Sequence, residues 1–170
     1  MPCQFRDSCK RFMTMPNAAR FILAASSAAL IFVFTMQYGF HYQPCVLCLW
    51  QRVPFAATIV LAGLALTPMM RKQVWLLLGL CAVVFLIGTG LAVFHTGVER
   101  HWWLGTSGCT FAPLHGTSVE DFRTQLLHTV MARCDEISWT FLGLSMANYN
   151  ALYSLVLALF SLCAAKKAGE

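Results

Sequence analysis

Charge is missing from this chain for long stretches, and that absence limits its folds more than any motif does. No Asp, Glu, Lys or Arg lies between Arg20 and Arg52, and Phe21 to Tyr38 is continuously apolar or small. Val53 to Met70 is an uncharged run of 18 residues, Gln73 to Val98 one of 26, and Ile137 to Ala165 one of 29. About 20 helical residues cross roughly 30 Å of hydrocarbon, so four membrane spans fit, near 19–38, 50–69, 74–94 and 146–165. The second is the tightest, since 18 helical residues reach only roughly 27 Å; it recruits Leu49 and Trp50. Pro54 lies near its start, either in the first turn or kinking a helix already begun. The first apolar run is longer than the core of a secretory signal and three spans follow it, so it reads as an uncleaved helix.

The composition agrees. Of the 170 residues, 58% are apolar and 11% charged, against about 25% charged in ordinary soluble domains. Such a chain cannot cover a water-facing surface, which excludes a soluble globular domain, a disordered segment and a typical nucleic-acid binder. The expected fold is an all-α membrane protein, one four-helix domain over 1–170 with outer loops near 39–49 and 95–145. Orientation follows from the cationic flanks. Arg6, Lys10, Arg11, Arg20, Arg71, Lys72, Lys166 and Lys167 fall on one side, whereas Arg52, Arg100, Arg123 and Arg133 spread over the other. Both termini are therefore expected in the cytoplasm, and both loops outside, which in a bacterium with two membranes is the periplasm.

Tyr38, Tyr42, Trp50, Trp102, Trp103 and Trp139 lie near the outer span ends, as an interfacial aromatic belt would. In the long loop, Ser118-Val119-Glu120-Asp121 has the form of a capping box. Val119, Phe122, Leu126 and Val130 then recur at helical spacing, which predicts a short interfacial helix.

This topology sorts the eight cysteines. Cys81 and Cys163 fall within spans, where cysteine behaves as a small apolar residue. Cys3 and Cys9 lie in the N-terminal tail, on the reducing side. The other four face outward: Cys45-Val46-Leu47-Cys48 at the mouth of the second span, and Cys109 and Cys134 in the long loop. Haem attachment requires His directly after C-x-x-C, and Leu49 stands there instead. A four-thiolate zinc site usually takes a second C-x-x-C, which is absent, so no metal is expected. A static disulfide remains open for Cys109 and Cys134. It is a poor account of Cys45 and Cys48, because so small a ring restrains little chain. Exchange chemistry suits that pair better. Arg52, four residues after Cys48, would face it across one helical turn, and a cation near a thiolate favours the reactive form. The same arginine would serve equally as a snorkelling interfacial residue.

Pro44-Cys45-Val46-Leu47-Cys48 followed by Gln51-Arg52 resembles the first-loop motif of the DsbB family of bacterial disulfide bond formation proteins. Cys134-Asp135, Trp139 and Phe141-Leu142-Gly143-Leu144-Ser145-Met146 resemble the end of that family's second loop. The four-helix layout and the two-plus-two cysteines match over roughly residues 20 to 165. The DsbA–DsbB–quinone relay is the known case of this chemistry. The resemblance implies a thiol:quinone oxidoreductase of the bacterial inner membrane that reoxidises a DsbA-like, thioredoxin-like dithiol oxidase, with ubiquinone or menaquinone as cofactor. Cys45 and Cys48 would reduce the quinone, with Cys48 the thiolate beside its ring and Arg52 next to it. Cys109 would take the mixed disulfide with the partner, and Cys134 would then exchange with Cys45. The family's functional histidine lies upstream of its third cysteine. Glu99-Arg100-His101-Trp102-Trp103-Leu104 looks like that place and favours His101, with His95 the competitor from spacing. Gln51 stands where some members carry an acid. Vitamin K epoxide reductase homologues also join loop cysteines to a membrane C-x-x-C, but there the loop pair comes first in the chain. The alternative from a different class is a non-catalytic four-span protein with a permanent loop disulfide.

Overall fold

The computed structural model describes residues 15–106, 109, 133–137 and 139–169. The tail bearing Cys3 and Cys9, and the interfacial helix expected around Val119 to Val130, lie outside the described residues. Among the described residues, five α-helices carry the fold: α1 (Met15–Gly39), α2 (Val46–Trp50), α3 (Arg52–Ala65), α4 (Val74–Glu99) and α5 (Met146–Gly169). A 3-10 turn, Pro68–Gln73, joins α3 to α4. Four helical stretches among the described residues are long and apolar enough to cross a membrane: Pro16–Gly39, Val46–Ala65, Pro68–Glu99 and Met146–Gly169. The protein is an all-α four-helix membrane bundle.

Its exterior is inverted relative to a soluble bundle. Ile31, Val60, Ile87 and Leu159 are each more than half exposed, as expected of side chains whose solvent is lipid. At the end bearing Arg71, Lys72, Lys166 and Lys167, the interior is built from small residues. Ala18, Ala19, Ala62, Ala65, Ala164 and Ala165 are all buried in one cluster with Ile22 and Leu78. Small side chains let backbones approach closely where no hydrophobic force drives helices together. Deeper in, Ser26 and Thr58 hydrogen-bond across α1 and α3 at 2.9 Å, and Phe55 meets Phe85 edge-on.

α1 packs on α3, α3 on α4, and α4 along most of α5, whereas α1 and α5 touch little. That weak seam holds the site.

Two of the helix ends that differ from the charge-gap reading bear on the site. The second span begins at Val46, because Cys45 caps α2 with its sulfur accepting the Cys48 N–H at 3.2 Å. The helix is then interrupted at Gln51. Pro54 cannot donate to the carbonyl four residues back and crowds it, so α2 and α3 are two pieces of one span. The third-span helix continues to Glu99 rather than ending near 94, which lifts His95 and Glu99 out of the loop and onto a rigid turn. Ahead of α5, Thr140–Phe141 and Leu144–Ser145 form a two-stranded hairpin. Leu142 and Gly143 take φ values of 49° and 77° at its turn, the two consecutive left-handed residues that a tight hairpin turn needs.

Candidate active site

Helix capping places both thiols. Cys45 stands in extended backbone at the N-cap of α2, so Cys48 follows three residues later within the first turn. The Cys45 thiol donates to the Cys48 sulfur at 2.8 Å. That hydrogen bond, with burial next, pushes the Cys45 thiol well above the usual cysteine range, so Cys45 keeps its proton. Cys45 is buried and Cys48 partly open, and both are free.

Both sulfurs line a cavity of about 430 Å³ between α1 and α5. Its walls are largely apolar, with Phe32 and Met36 from α1 and Tyr149 from α5, and Trp139 closes one side. Trp139 stacks on Phe141 and leans on Tyr149, whose hydroxyl donates to the Phe141 carbonyl at 2.9 Å. The hairpin therefore fixes this aromatic wall.

Polar groups gather at the cysteine end. Arg52 donates to Gln37 Oε1 at 2.7 Å and lies 5.0 Å over the Phe34 ring, so α1 holds the guanidinium from two sides. His95, buried on α4, brings Nε2 to 3.5 Å from Cys45 Sγ. Its Nδ1 meets Gln51 Nε2 at 2.7 Å. Glu99, one turn on, has Oε1 3.8 Å from His95 Nε2 and accepts a hydrogen bond from the Ser145 hydroxyl. Ser145 also accepts from the Asn148 N–H at 3.3 Å. This serine, standing just before α5, thus joins the start of that helix to the end of α4.

Cys109 and Cys134 form a disulfide. It packs in one buried cluster with Cys45, Leu47 and Val98, and the Cys134 backbone hydrogen-bonds the His95 ring. Both cysteine pairs meet at the Glu99 end of α4. On the exposed side of the disulfide, Arg133 chelates Asp135 at 3.0 and 2.6 Å. Those bonds hold the Asp135 carboxyl below the usual carboxylate range.

The residues singled out in the sequence therefore divide. Cys45, Cys48, Arg52 and His95 share the cavity, with Cys109 and Cys134 directly behind. His101 does not join them. It is exposed just past α4 with φ 56°, beside Cys109 and Asp135 in a separate pocket of about 60 Å³. Sequence reasoning missed Glu99 and Asn150, and noted Gln51 only as a departure from a pattern. The available signal was polarity within or next to an apolar span, which is costly without a purpose.

Three donors, Cys45, Cys48 and His95, come within 4.8 Å of one another, a set that could hold a metal ion. The sulfurs are 2.8 Å apart, closer than the ~3.8 Å between two thiolates on a tetrahedral zinc.

Comparison with known proteins agrees with this chemistry. Residues 16–164 match the family model described as "Disulfide bond formation protein DsbB". The chain is similar to disulfide bond formation protein B of Xylella fastidiosa (strain Temecula1 / ATCC 700964), at 35% identity over 148 residues, covering 82% of this chain and 83% of the relative. It is 30% identical over 157 residues to the protein of that name from Herminiimonas arsenicoxydans, covering 87% and 95%. An uncharacterized Rickettsia prowazekii protein, RP370, is 27% identical over 142 residues, covering 82% and 81%. No solved structure matches significantly. Matched along most of its length and by relatives of nearly the same extent, this chain belongs to the DsbB family of disulfide bond formation proteins.

Proposed function

We propose that this membrane protein is a thiol:quinone oxidoreductase of the bacterial inner membrane, which reoxidises a periplasmic, DsbA-like dithiol oxidase and so sustains disulfide formation. One observation carries the reading: a free thiol pair on the wall of an apolar cavity lies directly against a second cysteine pair already joined as a disulfide. A static tie accounts for the second pair alone.

The exchange balances as follows. A partner thiolate attacks Cys109, the Cys109–Cys134 bond breaks, and Cys134 leaves as a thiolate with the electron pair. The partner's second thiol releases its own disulfide and frees Cys109. Cys134 attacks Cys45 of an oxidised Cys45–Cys48 pair, and Cys48 leaves as the thiolate. Cys109 then attacks Cys134, restoring the loop disulfide and releasing Cys45. Two electrons and two protons have moved from partner to Cys45 and Cys48, each step being thiolate attack on sulfur. A loop disulfide beside two free thiols is the state in which those electrons are ready to leave.

The cavity suits a quinone: long apolar walls, with the cation of Arg52 at the end where the partly open Cys48 and His95 line it. A quinone bound there supplies the two-electron, two-proton acceptor. Arg52 would hold its carbonyl oxygen, and Trp139 and Phe32 would exclude water from its ring. The cationic flanks support an orientation with both termini in the cytoplasm and the cysteines on the periplasmic side. The fold is taken as one domain over 1–170.

Purified protein, given a reduced thioredoxin-like dithiol partner and a short-chain ubiquinone, should consume quinone absorbance catalytically. Cys48→Ala should keep the loop disulfide, oxidise about one equivalent of partner and then stop. Sustained turnover by Cys48→Ala would refute the relay.

A further inference from the structure

Hydrogen bonds around His95 run in one direction, and each member fixes the next. Asn150 Oδ1 accepts from the Ser154 hydroxyl at 3.3 Å, and the Asn150 amide nitrogen donates to Gln51. That nitrogen can only donate, so Gln51 must present Oε1 to it. The Gln51 amide nitrogen is then left facing His95 Nδ1 at 2.7 Å, and it too can only donate. Nδ1 must be a bare lone pair, and the proton of the neutral ring sits on Nε2, 3.5 Å from Cys45 Sγ. Cys45 passes its own proton toward Cys48 at 2.8 Å.

We propose that Gln51 and Asn150 are positioning residues that lock His95 in the Nε2–H tautomer, ending a one-way hydrogen-bond chain on the Cys48 sulfur. The chain gives Cys45 a donor at the moment it leaves. When Cys109 attacks Cys134 of a Cys45–Cys134 disulfide, that bond breaks, Cys109–Cys134 forms, and Cys45 departs with the electron pair toward Nε2–H. The ring keeps its proton, and no redox equivalent is gained or lost.

A proton on Nδ1 would face the Gln51 N–H. Among the described residues, the charged or titratable groups that share the cavity with the ring include Glu99, Cys45, Cys48, Arg52, Arg133 and Glu136. Glu99 is itself engaged by Ser145, and the Cys134 backbone also meets the ring. The part played in exchange rests on the proposed thiol relay, whereas the tautomer is a property of the resting protein.

The test uses the full chain in detergent with ¹⁵N-labelled histidine, reading which ring nitrogen carries hydrogen; His95→Gln identifies the signal. Wild type should show Nε2–H with bare Nδ1. Gln51→Glu puts an acceptor at Nδ1 and should move hydrogen onto that nitrogen, and Asn150→Leu should give a mixture. With the loop disulfide intact, iodoacetamide should modify Cys48 ahead of Cys45, and Gln51→Glu should shrink that preference about tenfold. An Nδ1–H ring in the wild type overturns the proposal without needing any variant to fold. So does a Gln51→Glu protein whose ring signal and alkylation preference are unchanged. An Nε2–H ring in a protein that cannot reduce quinone would keep this inference and remove the proposed function instead.

Discussion

Arg52 is the residue whose position most exceeds what its place in the sequence explains. A snorkelling arginine would point to the interface with a free head group. This one is fastened to Gln37 at 2.7 Å and laid over Phe34, both on α1, so its guanidinium forms part of the cavity wall. Gln37→Leu removes a hydrogen bond to a charged group, worth about 1.5 kcal/mol or more. Under the proposed function it should raise the KM for quinone about tenfold while leaving kcat at saturating quinone nearly unchanged. Steady-state kinetics against quinone concentration decides this, and an unaltered KM would mean that Arg52 does not hold the quinone. Residue identities were readable in the sequence to the extent that chemistry is local. Cys45, Cys48 and Arg52 lie within one motif and fall together in space. The preference for His101 over His95 did not carry into the geometry, because motif position says nothing about where a helix ends. Asn150 was invisible for another reason: its partner is 99 positions away.

The helices were legible because lipid imposes a length and forbids charge. Their ends were not, because they depend on single capping contacts. Cys45 starts α2 with its own sulfur, and α4 runs to Glu99, whose carboxylate is taken up by Ser145 at the head of α5. Gly88 shows how closely the pieces then approach. A Cβ there would lie 3.2 and 3.3 Å from the Pro54 ring and 3.7 Å from Ser154 Oγ, so α3, α4 and α5 converge on a residue without a side chain. Gly88→Val should destabilise the bundle by about 1–3 kcal/mol through overpacking. Gly79→Ala, with nothing within 4 Å of the added carbon, should not. Thermal unfolding of both variants in detergent checks the contrast, and equal melting temperatures would contradict the packing described for α4.

For the whole molecule, the weak seam between α1 and α5 explains why a bundle this small can hold a cavity of about 430 Å³ without a further domain. The helices pack in series, α1 on α3, α3 on α4 and α4 on α5, and both cysteine pairs gather at the Glu99 end of the gap left between α1 and α5. An apolar carrier and a water-borne thiol partner could thus be served from opposite sides of one helix end. The central claim is that electrons pass from the loop disulfide through Cys45 and Cys48 to the respiratory quinone pool. Acid quenching and alkylation of the four outer cysteines in living cells, with and without a respiratory block, tests it most directly. The account predicts that the block drives the outer cysteines toward thiols within minutes and that restoring respiration reverses this. Thiol states identical in both conditions would contradict it and leave a four-span protein with a permanent disulfide.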